Sequence, residues 1–121
     1  MRTHLKLFIA VGCLLLFGLG YHYRFHLMFY VAGQRAYSKN IAFCFLDGKN
    51  GFNPNYQKAR YWLEVAANNG DGESMGWLAW MVDSGRGGNL DHNKALYWYH
   101  EAQKHGDKQS ESYLRNRHLL N

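Results

Sequence analysis

The chain has 121 residues, of which 47% are hydrophobic and 17% aromatic, and its formal net charge is +5. This composition excludes an intrinsically disordered chain, and the length allows one domain. Basic and acidic residues are interleaved and no run of five Lys or Arg occurs, so the charge is weak evidence for nucleic-acid binding. The two cysteines, Cys13 and Cys44, lie in different segments and predict no internal disulfide framework.

Residues 1–24 are predicted to be a signal anchor or a signal peptide. Arg2 and Lys6 begin the segment, and an apolar helix over residues 5–24 would span about 30 Å, the thickness of the hydrocarbon core of a membrane. An uncleaved anchor is favoured because no polar region precedes the cleavage point near Gly20 and the sequence after it is again hydrophobic. Cleavage near Gly20 and a buried helix of a soluble domain are the alternatives. Because the tail before this segment is short, we expect the rest of the chain to be exported.

Residues 25–35 are predicted to form a connecting amphipathic helix. Apolar residues follow the helical spacing i, i+3, i+4 and i+7 and continue into the next segment; they are Phe25, Met28, Phe29, Ala32 and Ala36. We expect this stripe either to cover the open edge of the following domain or to lie along the membrane surface.

Residues 58–71 and 94–107 are two copies of one segment. KARYWLEVAANNGD and KALYWYHEAQKHGD share seven of fourteen positions at an offset of 36 residues. Each copy has an apolar stripe at helical spacing. The stripes are Ala59, Trp62, Leu63 and Ala66 in the first copy and Ala95, Trp98, Tyr99 and Ala102 in the second.

A second helix is predicted before each copy and completes a helix-turn-helix unit. Its apolar stripe is Ala42 and Leu46 in the first unit and Met75, Leu78, Ala79 and Val82 in the second. Asn55 and Asp91 are placed to cap the starts of the two repeated helices, and Gly70 and Gly106 are placed to end them.

One such unit cannot bury its own apolar face, and stacking on a neighbour supplies the missing partner. We therefore predict an all-α fold, an α-solenoid of about two and a half helix-turn-helix repeats preceded by an N-terminal hydrophobic helix. The repeat domain covers residues 36–121, with repeats at residues 36–71 and 72–107. A third, more polar copy begins at Asp107 and predicts a capping helix over residues 108–118.

Residues 73–107 resemble a Sel1-like repeat, a relative of the tetratricopeptide repeat. The positions that match the family pattern are Leu78, Ala79, Gly85, Gly87, Asp91, Lys94, Ala95, Trp98, Ala102 and Gly106 in this copy, and Gly51, Lys58, Ala59, Trp62, Ala66, Ala67 and Gly70 in the first. The first copy departs at Lys49, where the family has a glycine, and a turn shifted to Gly48 would compensate. The resemblance implies a non-catalytic protein-binding scaffold, of the kind common among exported or envelope proteins of bacteria.

Other site patterns in the sequence are weak. His22 and His26 have the spacing of two metal ligands on one helix, but no HExxH motif or nearby carboxylate accompanies them, and interfacial residues are the favoured interpretation. The glycine-rich residues 85–88 lack the strand and the Lys-Ser/Thr pair of a phosphate loop. Ser, His and Asp occur without a GxSxG motif. We predict no catalytic residue, metal site, cofactor, nucleic acid or small-molecule substrate.

Aromatic and apolar residues on the first helix of each unit predict a partner-binding wall. They lie off the core stripe, on the side that is concave in tetratricopeptide-like stacks, and the predicted wall is Ile41, Phe45, Trp77, Trp80, Met81 and Tyr113. The alternatives are that the N-terminal helix covers this wall, or that Trp80 packs between repeats. Tyr61 and Tyr97 lie on the opposite side of the repeated helices, where surface decoration is favoured over a second binding ladder.

Together, these features predict a non-catalytic protein-binding repeat protein of the bacterial envelope. By the family resemblance, it acts as an adaptor for one protein partner or as an inhibitor of the immunity type. The alternative is a structural assembly factor that scaffolds a membrane complex through the N-terminal helix. We expect the repeat domain to be periplasmic and anchored in the inner membrane; after cleavage near Gly20 it would be periplasmic or secreted.

Overall fold

The computed structural model describes residue 30 and residues 32–117. The described part of the chain contains five helices and no strand: α1 over residues 32–47, α2 over Tyr56–Asn68, α3 over Gly72–Asp83, α4 over His92–Lys104 and α5 over Lys108–Asn116. The predicted signal segment, residues 25–29 of the predicted connecting helix and the His22/His26 pair lie outside the described residues. In the part that the structure describes, no helix has the length and apolarity needed to cross a membrane.

The chain divides into two units, residues 1–32 and residues 33–121, and the packing described below is that of the second unit. Helix α3 packs against both α2 and α4, and α5 packs against α4. The order is therefore helix-turn-helix, helix-turn-helix and one further helix. This arrangement confirms the all-α prediction for the described residues.

The helices begin at side-chain caps, as the sequence predicts for two of them. Asn55 and Asp91 accept hydrogen bonds from the backbone N–H groups of Lys58 and Lys94, both at 2.9 Å. Asp71 and Asp107 cap α3 and α5 in the same way. All four caps satisfy a backbone N–H group that has no partner within its own helix.

The turn of the first unit begins one residue earlier than that of the second, while Gly51 keeps the 36-residue register with Gly87. The left-handed residues are Gly85 and Gly87 in the second unit, whereas the first unit places its first left-handed residue at Gly48 (φ +67°). Glycine adopts such a backbone without a steric cost, and lysine does not. The predicted shift of the turn from Lys49 to Gly48 is thereby confirmed.

The core contains most residues of the predicted apolar stripes, with Leu46 and Trp62 half-buried against it, together with a buried serine on α1, α3 and α5. Trp98 has 8% of its surface exposed, which confirms its predicted burial, whereas Trp62, one repeat earlier, is half-buried. The serines Ser38, Ser74 and Ser110 follow one another at the repeat offset of 36, and all three are buried. Their small side chains fit where neighbouring helices approach closely.

The prediction that Met81 lies on an exposed wall is wrong, because its side chain is fully buried in the core. Helix α3 is contacted by α2 on one side and by α4 on the other. Met81 lies only about 60° around the helix from Leu78, so the two contacts together bury a wider arc than the predicted single stripe. A helix that is apolar on most sides is typical of such a central position.

Candidate protein-binding groove

Three residues of the predicted wall come together in an open groove between α3 and α5. The groove has a volume of about 430 Å³. Its lining residues are Glu73, Gly76, Trp77, Trp80, Tyr99, Asp107, Gln109, Ser110 and Tyr113. We call this feature the aromatic groove, since the rings of Trp77, Trp80, Tyr99 and Tyr113 supply most of its apolar wall.

The rings of the aromatic groove are held by contacts with one another. Trp77 and Trp80 meet edge to face, with their ring centroids 5.7 Å apart and an interplanar angle of 86°. Tyr113 stacks on Tyr99 at 4.0 Å between centroids and 20° between planes. Trp77, Trp80 and Tyr113 pack against the core and remain half-buried, so each combines a fixed position with an accessible surface.

Polar contacts fix the orientation of Tyr113. Its hydroxyl group donates a hydrogen bond to Asp83 Oδ2 at 3.0 Å, and the other oxygen of this carboxylate lies 2.6 Å from His92 Nδ1. Burial raises the pKa of Tyr113 above its ordinary value, and the hydrogen bond to Asp83 raises it further. The phenol therefore stays protonated and keeps donating over the neutral pH range.

Gly76 allows Asp107 and Ser110, at the N-terminal end of α5, to pack directly against the backbone of α3. A β-carbon at this position would lie 2.6 Å from Asp107 Oδ2 and 2.9 Å from Ser110 Oγ. The carboxylate of Asp107 accepts the backbone N–H of Ser110 at 2.9 Å and the Ser110 hydroxyl at 2.5 Å. Asp107 thus has a fixed position in the groove that any side chain at position 76 would displace.

A second groove lies on the other side of the same two tryptophans. It has a volume of about 300 Å³ and is lined by Phe43, Leu46, Asp47, Tyr56, Trp77, Trp80 and Arg86. Phe43 meets Trp77 edge to face at 5.5 Å, and the Arg86 guanidinium lies 4.4 Å from the centroid of Trp80. Trp77 and Trp80 are therefore a ridge between two grooves.

Sequence reasoning missed Phe43 because the repeat offset pairs it with a different kind of residue. The equivalent position in the second unit is Ala79, which is fully buried. The predicted stripe of the first unit, Ala42 and Leu46, and the predicted wall both leave position 43 out. An aromatic residue where the next copy has alanine was the available signal, since a fully buried alanine site does not accommodate a ring.

The remaining members of the predicted wall do not line either groove. Phe45 contacts Phe52 edge to face at 4.8 Å and lies beneath the Lys58 ammonium at 5.3 Å, so it packs against the segments that follow α1. Ile41 is half-buried and is not among the lining residues. Met81 is in the core, as described above.

The outer tyrosines, Tyr61 and Tyr97, lie on the surface of the repeated helices. Tyr61 and Tyr97 are 60% and 58% exposed. Each contacts the tryptophan that follows it on its own helix, Trp62 at 5.4 Å and Trp98 at 5.2 Å between centroids. Their exposure agrees with surface decoration.

The chemistry that the aromatic groove offers is burial of apolar groups beside a carboxylate. Within residues 32–117, no three His, Cys, Asp or Glu side chains come together in a way that could hold a metal ion.

Cys44, a free thiol, is half-buried and accepts a hydrogen bond from the Asn50 side chain at 3.4 Å.

Comparison with known proteins agrees with the helical architecture. The family model of the Sel1 repeat matches residues 32–71 and 72–107. Comparison with curated proteins gave no match. The crystal structure of a Sel1 repeat protein from Oxalobacter formigenes is similar, with a TM-score of 0.64 and 23% sequence identity. The match covers 68% of this chain and 23% of that chain, and at this identity it supports the fold alone.

Proposed function

Because the chain belongs to the Sel1 repeat family, whose repeats generally mediate protein–protein interaction, we propose that it binds one protein partner through the aromatic groove. The main support is that Trp77, Trp80 and Tyr113, from two different helices, present half-buried rings to one open groove. Clustered accessible aromatic groups are typical of partner sites and of the residues that dominate binding energy. Burying one such side chain stabilises a complex by roughly 1.5–3 kcal/mol.

The proposed role is that of a non-catalytic adaptor or inhibitor in the bacterial envelope. The apolar segment over residues 5–24 supports a membrane anchor. The family supports protein binding without catalysis. A short repeat domain held at a membrane would present its groove to a partner in the same compartment.

Site-specific photo-crosslinking tests the proposed site. We expect p-benzoylphenylalanine in place of Gln109, which is exposed and lines the aromatic groove, to form a covalent product with the partner in cells that produce the protein. The same amino acid in place of Tyr97, exposed on the outer side, is the control and should give no such product. A product from position 97 and none from position 109 would contradict the proposal.

Whether partner binding requires the N-terminal segment distinguishes an adaptor or inhibitor from an assembly factor. A partner that stays bound after detergent removal, to a chain lacking residues 1–24, supports an adaptor or inhibitor acting through the repeat domain. A partner that is recovered only with residues 1–24 intact supports an assembly factor that scaffolds a membrane complex.

The mass of the mature protein tests the anchor. We expect protein extracted from membranes to retain residues 1–20, because the sequence around Gly20 lacks a polar cleavage region. Intact-mass spectrometry measures this directly. A mature chain that begins at Tyr21 would show that the segment is a cleaved signal peptide.

A further inference from the structure

The charged residues of the aromatic groove are both acidic, although the chain as a whole is basic. Glu73 and Asp107 line the groove, and no Lys, Arg or His of residues 32–117 is among its lining residues. Glu73 is paired with Lys39 at 3.0 Å, so Asp107 is the carboxylate of the groove that has no ion-pair partner within residues 32–117. Complementary charge at such a site favours a cationic partner group.

The first repeat junction contains the cation that the second junction lacks. Asp71, one repeat before Asp107, lies 3.6 Å from the ammonium group of Lys39, which also donates to Glu73 at 3.0 Å. The hydrogen bond to Glu73 raises the pKa of Lys39, so this ammonium group remains charged at neutral pH.

The second junction has no equivalent of Lys39. The position 36 residues later is Met75, whose side chain is buried. None of the ion pairs formed within residues 32–117 involves Asp107. The chain therefore places its own ammonium group beside the capping aspartate at one junction, and at the other an open groove lies beside the equivalent aspartate.

The rings of the groove already bind cations on their other sides. The Arg86 guanidinium lies 4.4 Å from the Trp80 centroid, and the Arg117 guanidinium lies 4.9 Å from the Tyr113 centroid. Both arginines border neighbouring grooves rather than the aromatic groove. Stacking of a cation on an aromatic ring is thus a contact that these residues already make, and the groove leaves further ring surface accessible.

We propose that the aromatic groove receives a Lys or Arg side chain from an otherwise apolar segment of the partner protein. The cationic end lies beside the Asp107 carboxylate, and the aliphatic stem lies against Trp77, Trp80 and Tyr113. A long side chain with an apolar stem and a charged end matches a groove with apolar walls and a carboxylate. This inference rests on the proposed function, because it specifies what the same groove binds.

Selection from a displayed library of short random peptides, with the full chain in detergent as the bait, tests the inference. We expect the selected peptides to share one Lys or Arg flanked by apolar residues. A selected peptide is then synthesised in two forms, one with the cation and one with norleucine in its place, because norleucine keeps an aliphatic stem without the charge. The affinity of each form is measured by fluorescence polarisation.

Asp107→Asn is the variant that removes the charge and keeps the fold, since asparagine is an equally good helix N-cap. It should weaken binding of the cationic peptide by about three- to tenfold, as expected for loss of a partly buried ion pair. The affinity for the norleucine peptide should not change. Asp91→Asn makes the same chemical change at the cap of α4, which is not among the groove's lining residues, and should leave both peptides unchanged.

Two outcomes overturn the inference. One is a set of selected peptides without enrichment of Lys or Arg; the other is an Asp107→Asn effect of equal size on the cationic and norleucine peptides, because a structural effect would not distinguish them. If the Trp77→Ala variant binds a selected cationic peptide with unchanged affinity, the aromatic groove is not the binding site. The proposed function would then fail together with the inference. Weakening by Trp77→Ala without selective weakening by Asp107→Asn would leave the proposed function standing and overturn the inference alone.

Discussion

The inner and outer aromatic residues of this chain differ in what they contact. The outer tyrosines, Tyr61 and Tyr97, are mostly exposed, and each contacts the tryptophan next to it in sequence. The inner residues Trp77, Trp80 and Tyr113 come from α3 and α5 and share one groove. The inner rings border a groove because they come from two helices, and a space between helices is a typical place for a binding site.

The two sets also differ in how they follow the repeat. Tyr61 and Tyr97 are the same residue at an offset of 36, whereas Trp77 corresponds to Ile41 in the preceding copy and Trp80 to Cys44. Trp62 and Trp98, which are identical in both copies, pack in or against the core. The groove tryptophans Trp77 and Trp80 differ from the residues at the same positions of the first copy.

The largest expected effect is on stability, beneath the outer surface. Trp98→Ala should reduce the free energy of unfolding by about 3–5 kcal/mol, because it empties a buried aromatic position. Denaturant titration measures this loss. Trp62→Ala is the matched control at the half-buried equivalent position and should cost less. A loss near 0.5 kcal/mol for Trp98→Ala, a value typical of surface substitutions, would show that the buried stripe is misassigned.

The next largest effect is on binding, at the inner groove. Trp77→Ala should weaken partner binding by about 10- to 150-fold. This corresponds to the roughly 1.5–3 kcal/mol that burial of one such apolar side chain contributes. Titration of the labelled partner measures the dissociation constant, and circular dichroism confirms that the variant is folded, since Trp77 also packs against the core.

Tyr97→Ala is the control from the outer surface. It should change stability by no more than about 0.5 kcal/mol and leave affinity unchanged, as expected for an exposed side chain away from the site. If Tyr97→Ala abolished binding and Trp77→Ala did not, the outer tyrosines would be the binding surface.

A smaller effect is expected at the Tyr113 hydroxyl. Tyr113→Phe should reduce the free energy of unfolding by about 0.5–1.5 kcal/mol at neutral pH, which is the net contribution of one hydrogen bond. Burial and the bond to Asp83 raise the pKa of Tyr113 above 10.0, so the folded state favours the neutral phenol. The stabilisation is complete below pH 10 and decreases as the pH rises through the raised pKa.

The comparison of wild type and Tyr113→Phe in denaturant titrations tests this pH dependence. The difference in unfolding free energy should shrink above pH 10. A difference that stays constant to higher pH would show that the hydroxyl contributes no pH-dependent stability.

The sequence predicted the features that depend on helical spacing and local capping. The apolar stripe that contains Trp98 is buried as predicted, and Asn55 and Asp91 cap their helices as predicted. Both features depend on the sequence of a single helix and its first residues. The burial of Met81 depends on α3 being contacted from two sides, and no single-helix pattern contains that information.

The composition of the groove could be predicted only in part. Trp77, Trp80 and Tyr113 share a helix face in the repeat register, and the structure brings them together. Asp107 and Gly76 are 31 positions apart in the chain, and their proximity arises from the distance between α3 and α5. Such a distance is set by side chains of several helices at once, so the acidic part of the groove has no signal in the sequence alone.

The most direct measurement of the central claim is the nuclear magnetic resonance spectrum of the tryptophan indole N–H groups during titration with the partner. The chain has four tryptophans, two at the inner groove and two, Trp62 and Trp98, beside the outer tyrosines. Binding through the aromatic groove should shift the signals of Trp77 and Trp80 and leave those of Trp62 and Trp98 in place. Shifts of Trp62 and Trp98 with unchanged signals for Trp77 and Trp80 would contradict the account.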